Sequence, residues 1–266
     1  MDPFFINKTN RPKVPILVSV PHCGTQFPPE ISGDYNPDYA KAPDDTDWFV
    51  DELYSFASDM GIDIISAKYS RWVVDLNRDP ESKPLYNDGR IITGLCTTID
   101  FHGNPIYVQN EPDEAEVKRR VEEYYQPYHN KIQQMLNELK KKFGCVLLWD
   151  AHSIRQYVPT IHKDKFPDMI LGSADGASAH PSLIEAALSG LTTETFGLSH
   201  NYPFKGGQIT RSFGKPSENQ HALQLEMNKI LYMNDEELQY APDRANKVRE
   251  VLQATFEKLL KTLETL

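Results

Sequence analysis

Two short, uninterrupted apolar runs constrain this chain more than anything else in it: residues 15–20 (PILVSV) and 145–149 (CVLLW). Neither alternates apolar with polar residues, so neither suits a sheet with one wet face. Both read as strands buried on both sides, the pattern of a largely parallel sheet. Residues 62–66, 71–76 and 169–172 are predicted as further strands. Helical patterns lie between them. Trp48, Val50, Leu53, Tyr54 and Ala57 recur at helical spacing behind the acidic start Asp44-Asp45-Thr46-Asp47. Residues 111–142 form a long helical region with a break expected near Pro127, residues 181–190 a helix, and residues 244–263 a terminal amphipathic helix. Residues 223–232 suit helix or strand, the first dozen residues read as a polar lead-in, residues 80–105 are loop-rich, and residues 204–207 form a turn. Strands alternating with helices over 266 residues, 39% of them hydrophobic, predict one α/β domain spanning residues 1–266.

Charge narrows the function classes. A net charge of −10 argues against nucleic acid as a partner, since phosphate binding needs clustered Lys and Arg. An acidic ligand must instead be recruited by a local group of arginines. No apolar run approaches the ~20 residues of a membrane span, and no basic segment precedes an apolar one at the N-terminus. Cys23, Cys96 and Cys145 are odd in number and form no CxxC pair, which excludes a disulfide framework and a thiolate zinc finger. A cytoplasmic protein, monomeric or a small homo-oligomer, without membrane partners is expected. HExxH, GxSxG, P-loop and GxGxxG signatures are all absent.

Of eight histidines, only His22 and His152 directly follow an apolar strand run, PILVSVPH and CVLLWDAH. Both are therefore placed at the carboxyl edge of a parallel sheet, where ligands bind. A histidine at a strand end is more often structural; two at equivalent positions favour a site. Imidazole suits Zn²⁺, and a catalytic zinc takes three protein ligands and keeps a fourth position open. Asp44, Asp45, Asp47 and Asp51 are candidates for the third ligand; we prefer Asp47, with Asp45 second, although acidic residues here also serve as helix caps. Glu226, among Leu223, Leu225, Met227 and Ile230, is the candidate general base, because partial desolvation raises a carboxyl pKa toward the working range. The alternative is an ordinary exposed glutamate. Arg71, Arg78, Arg155 and Arg211 sit beside strand ends or glycine turns, a pattern suited to a small dicarboxylate ligand, though each also suits a surface ion pair. A rival arrangement is a thiol hydrolase using Cys23 with His152 as base.

Seven segments in register resemble the N-formylglutamate amidohydrolase family: VSVPHCGT (residues 18–25), DTDW with VDELY (45–54), VDLNR (74–78), TGLC (93–96), WDAHS (149–153), KGGQITR (205–211) and QLEMN (224–228). Two positions depart from that pattern: Cys23, where Ser is commoner, and Phe49, where His is common. The resemblance implies a three-layer α/β/α fold with a mostly parallel, mixed central sheet, phosphorylase/hydrolase-like and similar to the zinc carboxypeptidases. It implies hydrolysis of N-formyl-L-glutamate to formate and L-glutamate in histidine degradation. It further implies Zn²⁺ or another divalent cation held by His22, Asp47 and His152, with Glu226 as base. Arg71, Asn77, Arg78, Gly207, Thr210 and Arg211 would hold the substrate. Alternatives are a zinc amidohydrolase acting on another N-acyl amino acid or peptide, and a non-catalytic carboxylate-binding relative.

Overall fold

A computed structural model describes residues 2–81 and 94–266. Among these, seven strands form one mixed sheet: β1 (Phe4–Asn7), β2 (Ile16–Val20), β3 (Asp63–Ala67), β4 (Val146–Ile154), β5 (Met169–Gly172), β6 (Leu198–His200) and β7 (Gln220–Asn228). Their spatial order is β1-β3-β2-β4-β7-β5-β6. The four pairs β2/β3, β2/β4, β4/β7 and β5/β6 are parallel, while β1/β3 and β5/β7 are antiparallel. The helices are α1 (Pro37–Ala40), α2 (Val50–Leu53), α3 (Glu114–Arg120), α4 (Gln126–Phe143), α5 (Pro181–Leu191), α6 (Gln208–Phe213) and α7 (Pro242–Leu263). None of them is long and apolar enough to cross a membrane.

Both apolar runs land in the middle of the sheet, with every residue of β2 and β4 buried. Period-two geometry then divides their side chains. Leu147, Trp149 and Ala151 enter one core cluster with Leu183 of α5 and Val248, Leu252 and Phe256 of α7. Val146 and Leu148 enter a second cluster with Tyr128, Ile132 and Leu136 of α4. On α7 the buried positions Ala245, Val248, Leu252, Phe256, Leu259 and Leu263 step by three or four residues, one continuous stripe. Truncating one of them, Leu252→Ala, should cost about 2–5 kcal/mol.

Several expectations are corrected. Residues 71–76 are not a strand. Trp72, Val73, Val74 and Leu76 are buried as their apolar character requires, but the backbone closes turns, with Val73 N–H donating to Ser70 O and Arg78 N–H to Asp75 O. The helix expected from Trp48 starts late. Asp45 and Asp47 are engaged elsewhere, so α2 begins after an uncapped Phe49 in the left-handed region (φ 62°) and tightens into 3₁₀ turns over Tyr54–Met60. The long helical region breaks ahead of Pro127, in a π-helical turn at Val121–Tyr125. A regular turn would drive the proline ring into the Glu123 carbonyl. Residues 223–232 resolve into strand β7 followed by a 3₁₀ turn, Lys229–Leu231. The polar lead-in conceals edge strand β1, whose residues alternate between half-buried and exposed. Residues 82–93, within the loop-rich stretch, lie outside the described residues.

Candidate active site

Asp150, His152, Gln224 and Glu226 share one sheet face, because positions two apart on a strand point the same way. His152 and Glu226 are register partners across β4 and β7, and Ile170 of β5 flanks Glu226 on its other side. His22 lies in the turn two residues after β2, and its carbonyl accepts the Asp47 N–H at 2.9 Å. The two imidazoles face each other with centroids 4.8 Å apart.

Asp47 stands between them, its Oδ2 3.2 Å from His152 Nδ1 and 3.7 Å from His22 Nδ1. Among the described residues, His22, Asp47 and His152 form the one group of His, Cys, Asp and Glu suited to a metal ion, with one ligand atom from each within 4.8 Å of the others. All three are buried. Asp45, the second choice, is committed elsewhere: it accepts hydrogen bonds from Trp72 Nε1 and Phe101 N, both at 3.0 Å.

The far ring nitrogens are also held. His22 Nε2 lies 2.8 Å from Asp75 Oδ1, and Asp75 Oδ2 accepts Arg71 Nη2 at 2.5 Å. His152 Nε2 lies 3.1 Å from Asp150 Oδ1 and 2.9 Å from Asn77 Nδ2. Thr210 Oγ1 donates to Asp150 Oδ2 at 3.1 Å, and Ile209 N–H donates to Asn77 Oδ1 at 2.8 Å. Carboxylates behind both imidazoles leave the Nδ1 atoms to face Asp47, the arrangement that orients histidine ligands around a metal. Asp75 and Asp150 escape the sequence reading. Asp150 was accessible through strand periodicity, lying two residues before His152; Asp75 was hidden by the false strand.

Electrostatics divides the two histidines. Burial, aided by Arg71, lowers the His22 pKa and keeps the ring neutral. Burial opposes charge on His152 too, but Asp150 and Asp47 outweigh it and raise its pKa well above the usual value. Burial likewise works against ionising Asp75, yet Arg71 and His22 hold its carboxyl well below the ordinary range. Glu226 moves the other way. Burial, reinforced by Asp47 and Asp150 and opposed by His152 and Arg71, pushes its carboxyl up to about 8. A carboxyl poised there can both accept and return a proton near neutral pH.

The expected substrate residues divide. Arg71 is buried on Asp75 with its guanidinium 5.1 Å from the Phe101 ring centroid. Arg78 Nε approaches Asp75 Oδ2 at 4.0 Å, and exposed Arg211 donates Nε to Gly206 O at 3.0 Å. Asn77 and Thr210 are buried in contact with Asp150. Gly207 N–H donates to Gln224 Oε1 at 2.8 Å, and a Cβ at Gly207 would lie only 2.4 Å from Asn77 Nδ2, so no larger residue fits. Arg155 pairs with Asp44 and Glu237. Cys23 is not poised as a nucleophile. Its Sγ donates to Val20 O, and burial raises its pKa well above the ordinary thiol value.

Comparison with known proteins identifies the family. Residues 14–233 match the family model for N-formylglutamate amidohydrolase. The chain is 40% identical over 252 residues to an N-formylglutamate deformylase of Pseudomonas putida, covering 93% of each. It is 41% identical over 254 residues to that of Pseudomonas aeruginosa, covering 94% of each. Its structure resembles the crystal structure of N-formylglutamate amidohydrolase from Ralstonia eutropha (TM-score 0.78, 25% identity, 100% and 98% coverage). In fold alone it also resembles a gene product of Agrobacterium tumefaciens (TM-score 0.73, 17% identity, 97% and 96% coverage). The chain belongs to the N-formylglutamate amidohydrolase family.

Proposed function

We propose that this protein is a metal-dependent amidohydrolase that cleaves N-formyl-L-glutamate to formate and L-glutamate. The observation that carries the reading is the buried His22–Asp47–His152 group with Glu226 in register beside it. The donor set fits a divalent cation: two imidazole nitrogens and one carboxylate oxygen, with the remaining nitrogens backed by Asp75 and Asp150. Such a cation, Zn²⁺ by donor chemistry, would polarise the formyl oxygen and ease ionisation of water.

The chain's own residues do the rest. Glu226 takes the proton from the attacking water as its oxygen bonds to the formyl carbon. It returns that proton to the amide nitrogen as the C–N bond breaks, so formic acid and a neutral amine leave, and the acid then ionises to formate in water. Arg78 and Arg211, with Arg71 behind them, hold the substrate carboxylates against a protein of net charge −10. Asn77, Gly207 and Thr210 contribute by fixing Asp150 and His152 beneath the substrate. Two core clusters packed on opposite sides of β2 and β4 support a three-layer reading of residues 1–266 as a single domain.

Release of the free amino acid by the metal-loaded protein from N-formyl-L-glutamate, N-formyl-L-aspartate and N-acetyl-L-glutamate tests this. The first should be preferred in kcat/KM. Equal turnover of the acetyl compound would move the reading to a broader N-acyl amino acid hydrolase.

A further inference from the structure

The loop that carries Asp47 has almost no regular structure of its own. Within it, Thr46 N–H donates to Pro43 O, and Asp47 N–H reaches back to His22 O. Its position is therefore set from outside: Trp72 and Phe101 hold Asp45, and a further set of contacts, on Asp44, comes from two strand ends. Lys229 Nζ donates to the Asp44 carbonyl at 2.9 Å, and Arg155 Nε donates to Asp44 Oδ1 at 2.6 Å. Arg155 is braced in turn by Glu237 Oε2 at 3.0 Å and the Glu236 carbonyl at 3.3 Å. His102 Nε2 lies 3.0 Å from the second Asp44 oxygen.

The register explains why these two cations meet one residue. The β4/β7 ladder runs through the pair Ile154 and Asn228, so Arg155 and Lys229 leave the sheet side by side. Each stands three residues beyond a site residue, His152 on β4 and Glu226 on β7. A lysine that is 2% exposed is also unusual, because an ammonium group normally keeps its head in water. Burial depresses its pKa, with Asp47 and Asp44 as the leading opposing charges.

We propose that Lys229 and Arg155 are positioning residues that clamp Asp44 and so hold Asp47 at metal-ligand distance from His22 and His152. The inference rests on the metal reading above and adds residues that touch neither metal nor substrate. Two physical effects of Lys229 have opposite signs. A positive charge near a dication weakens metal binding by repulsion, whereas a correctly placed ligand strengthens it. Removal of the lysine therefore distinguishes them by the direction of the change.

The test is titration of metal-free protein with Zn²⁺ against a competing chelator, and with Co²⁺ followed by its visible absorption, for wild type, Lys229→Met, Lys229→Arg and Asp44→Ala. Lys229→Met and Asp44→Ala should bind Zn²⁺ about 10- to 100-fold more weakly, the usual effect of losing an outer support. Both should show an altered Co²⁺ spectrum. Lys229→Arg, which keeps a buried cation and donor, should stay closer to wild type than Lys229→Met. Asp44→Ala carries the test if Lys229→Met does not fold, as judged by near-ultraviolet circular dichroism. Wild-type or tighter Zn²⁺ binding by the folded variants overturns the clamp while leaving the metal site intact. A wild-type chain that takes up no Zn²⁺ overturns the metal reading itself, and the clamp with it.

Discussion

Gly207→Ala should damage the site without touching a ligand. The added methyl would lie 2.4 Å from Asn77 Nδ2 and 2.6 Å from its Cγ and Oδ1. Non-bonded contacts to carbon settle near ~3.5 Å, so the amide must retreat by about 1 Å. Asn77 is buried, and its amide lies 2.9 Å from His152 Nε2 and 2.8 Å from the Ile209 N–H. A retreat of that size takes both contacts beyond hydrogen-bond range. Overpacking of this kind costs about 1–3 kcal/mol of stability, and misplacing a site by ~1 Å can cost on the order of 10² in rate. Urea unfolding and formate release from N-formyl-L-glutamate measure the two effects. The double variant Asn77→Ala/Gly207→Ala separates cause from coincidence. If the clash acts through Asn77, the double variant should be no worse than Asn77→Ala alone, a strongly non-additive cycle. Gly207→Ala with wild-type kcat, or strict additivity in the cycle, would refute the reasoning.

Further outcomes follow from the same geometry. Glu226→Gln should lower kcat by on the order of 10²–10⁴-fold while retaining bound metal, because it removes the proton carrier alone; near-normal kcat would take Glu226 out of the mechanism. Arg211→Ala should act mainly on KM, since carboxylate binding is largely shared by ground and transition states; an unchanged KM places recognition elsewhere. His129, stacked on Tyr125 with centroids 4.0 Å apart and 2.8 Å from the Leu76 carbonyl, has its pKa lowered by burial from 6.5 to about 4. Its contribution to stability is complete above pH 6.5 and is lost as pH falls toward 4, at most about 3 kcal/mol. His129→Gln should flatten the urea-midpoint profile across that window, and an unaltered profile would exclude His129 as its source.

What the sequence made legible was decided by burial and periodicity. The two apolar runs identify the central strands because only a doubly covered strand tolerates PILVSV or CVLLW. The same signal placed His22 and His152 at the ends of the apolar runs, although β4 continues through His152 to Ile154. It left Asp47 with no more than a preference over Asp45, because the orientation of a loop carboxylate toward the two rings is set by tertiary contacts. Glu226 was legible through its apolar neighbours before its secondary structure was, since desolvation of a carboxyl does not depend on whether helix or strand supplies it. Asp75 was not legible, because its contact with His22 joins segments 53 residues apart. Asp150, by contrast, was within reach of strand periodicity and was passed over because the apolar run stops at Trp149. Long separation also hid Lys229, whose carbonyl partner Asp44 lies 185 residues away. The failed strand at 71–76 shows the converse limit. Apolar letters there report burial correctly, but the backbone is spent on turns that aim Arg71 and Asp75 at the site.

Metal content measured alongside activity tests the account most directly. Purified protein should hold about one divalent cation per chain, lose N-formyl-L-glutamate hydrolysis on exhaustive chelation, and regain it with Zn²⁺ or another divalent ion. Because binding must displace the proton that Asp150 and Asp47 hold on His152, the apparent affinity should rise with pH, by up to about tenfold per unit below that pKa. His22→Ala and Asp47→Ala should lose metal and activity together. Full hydrolysis by protein shown to be metal-free would contradict the account.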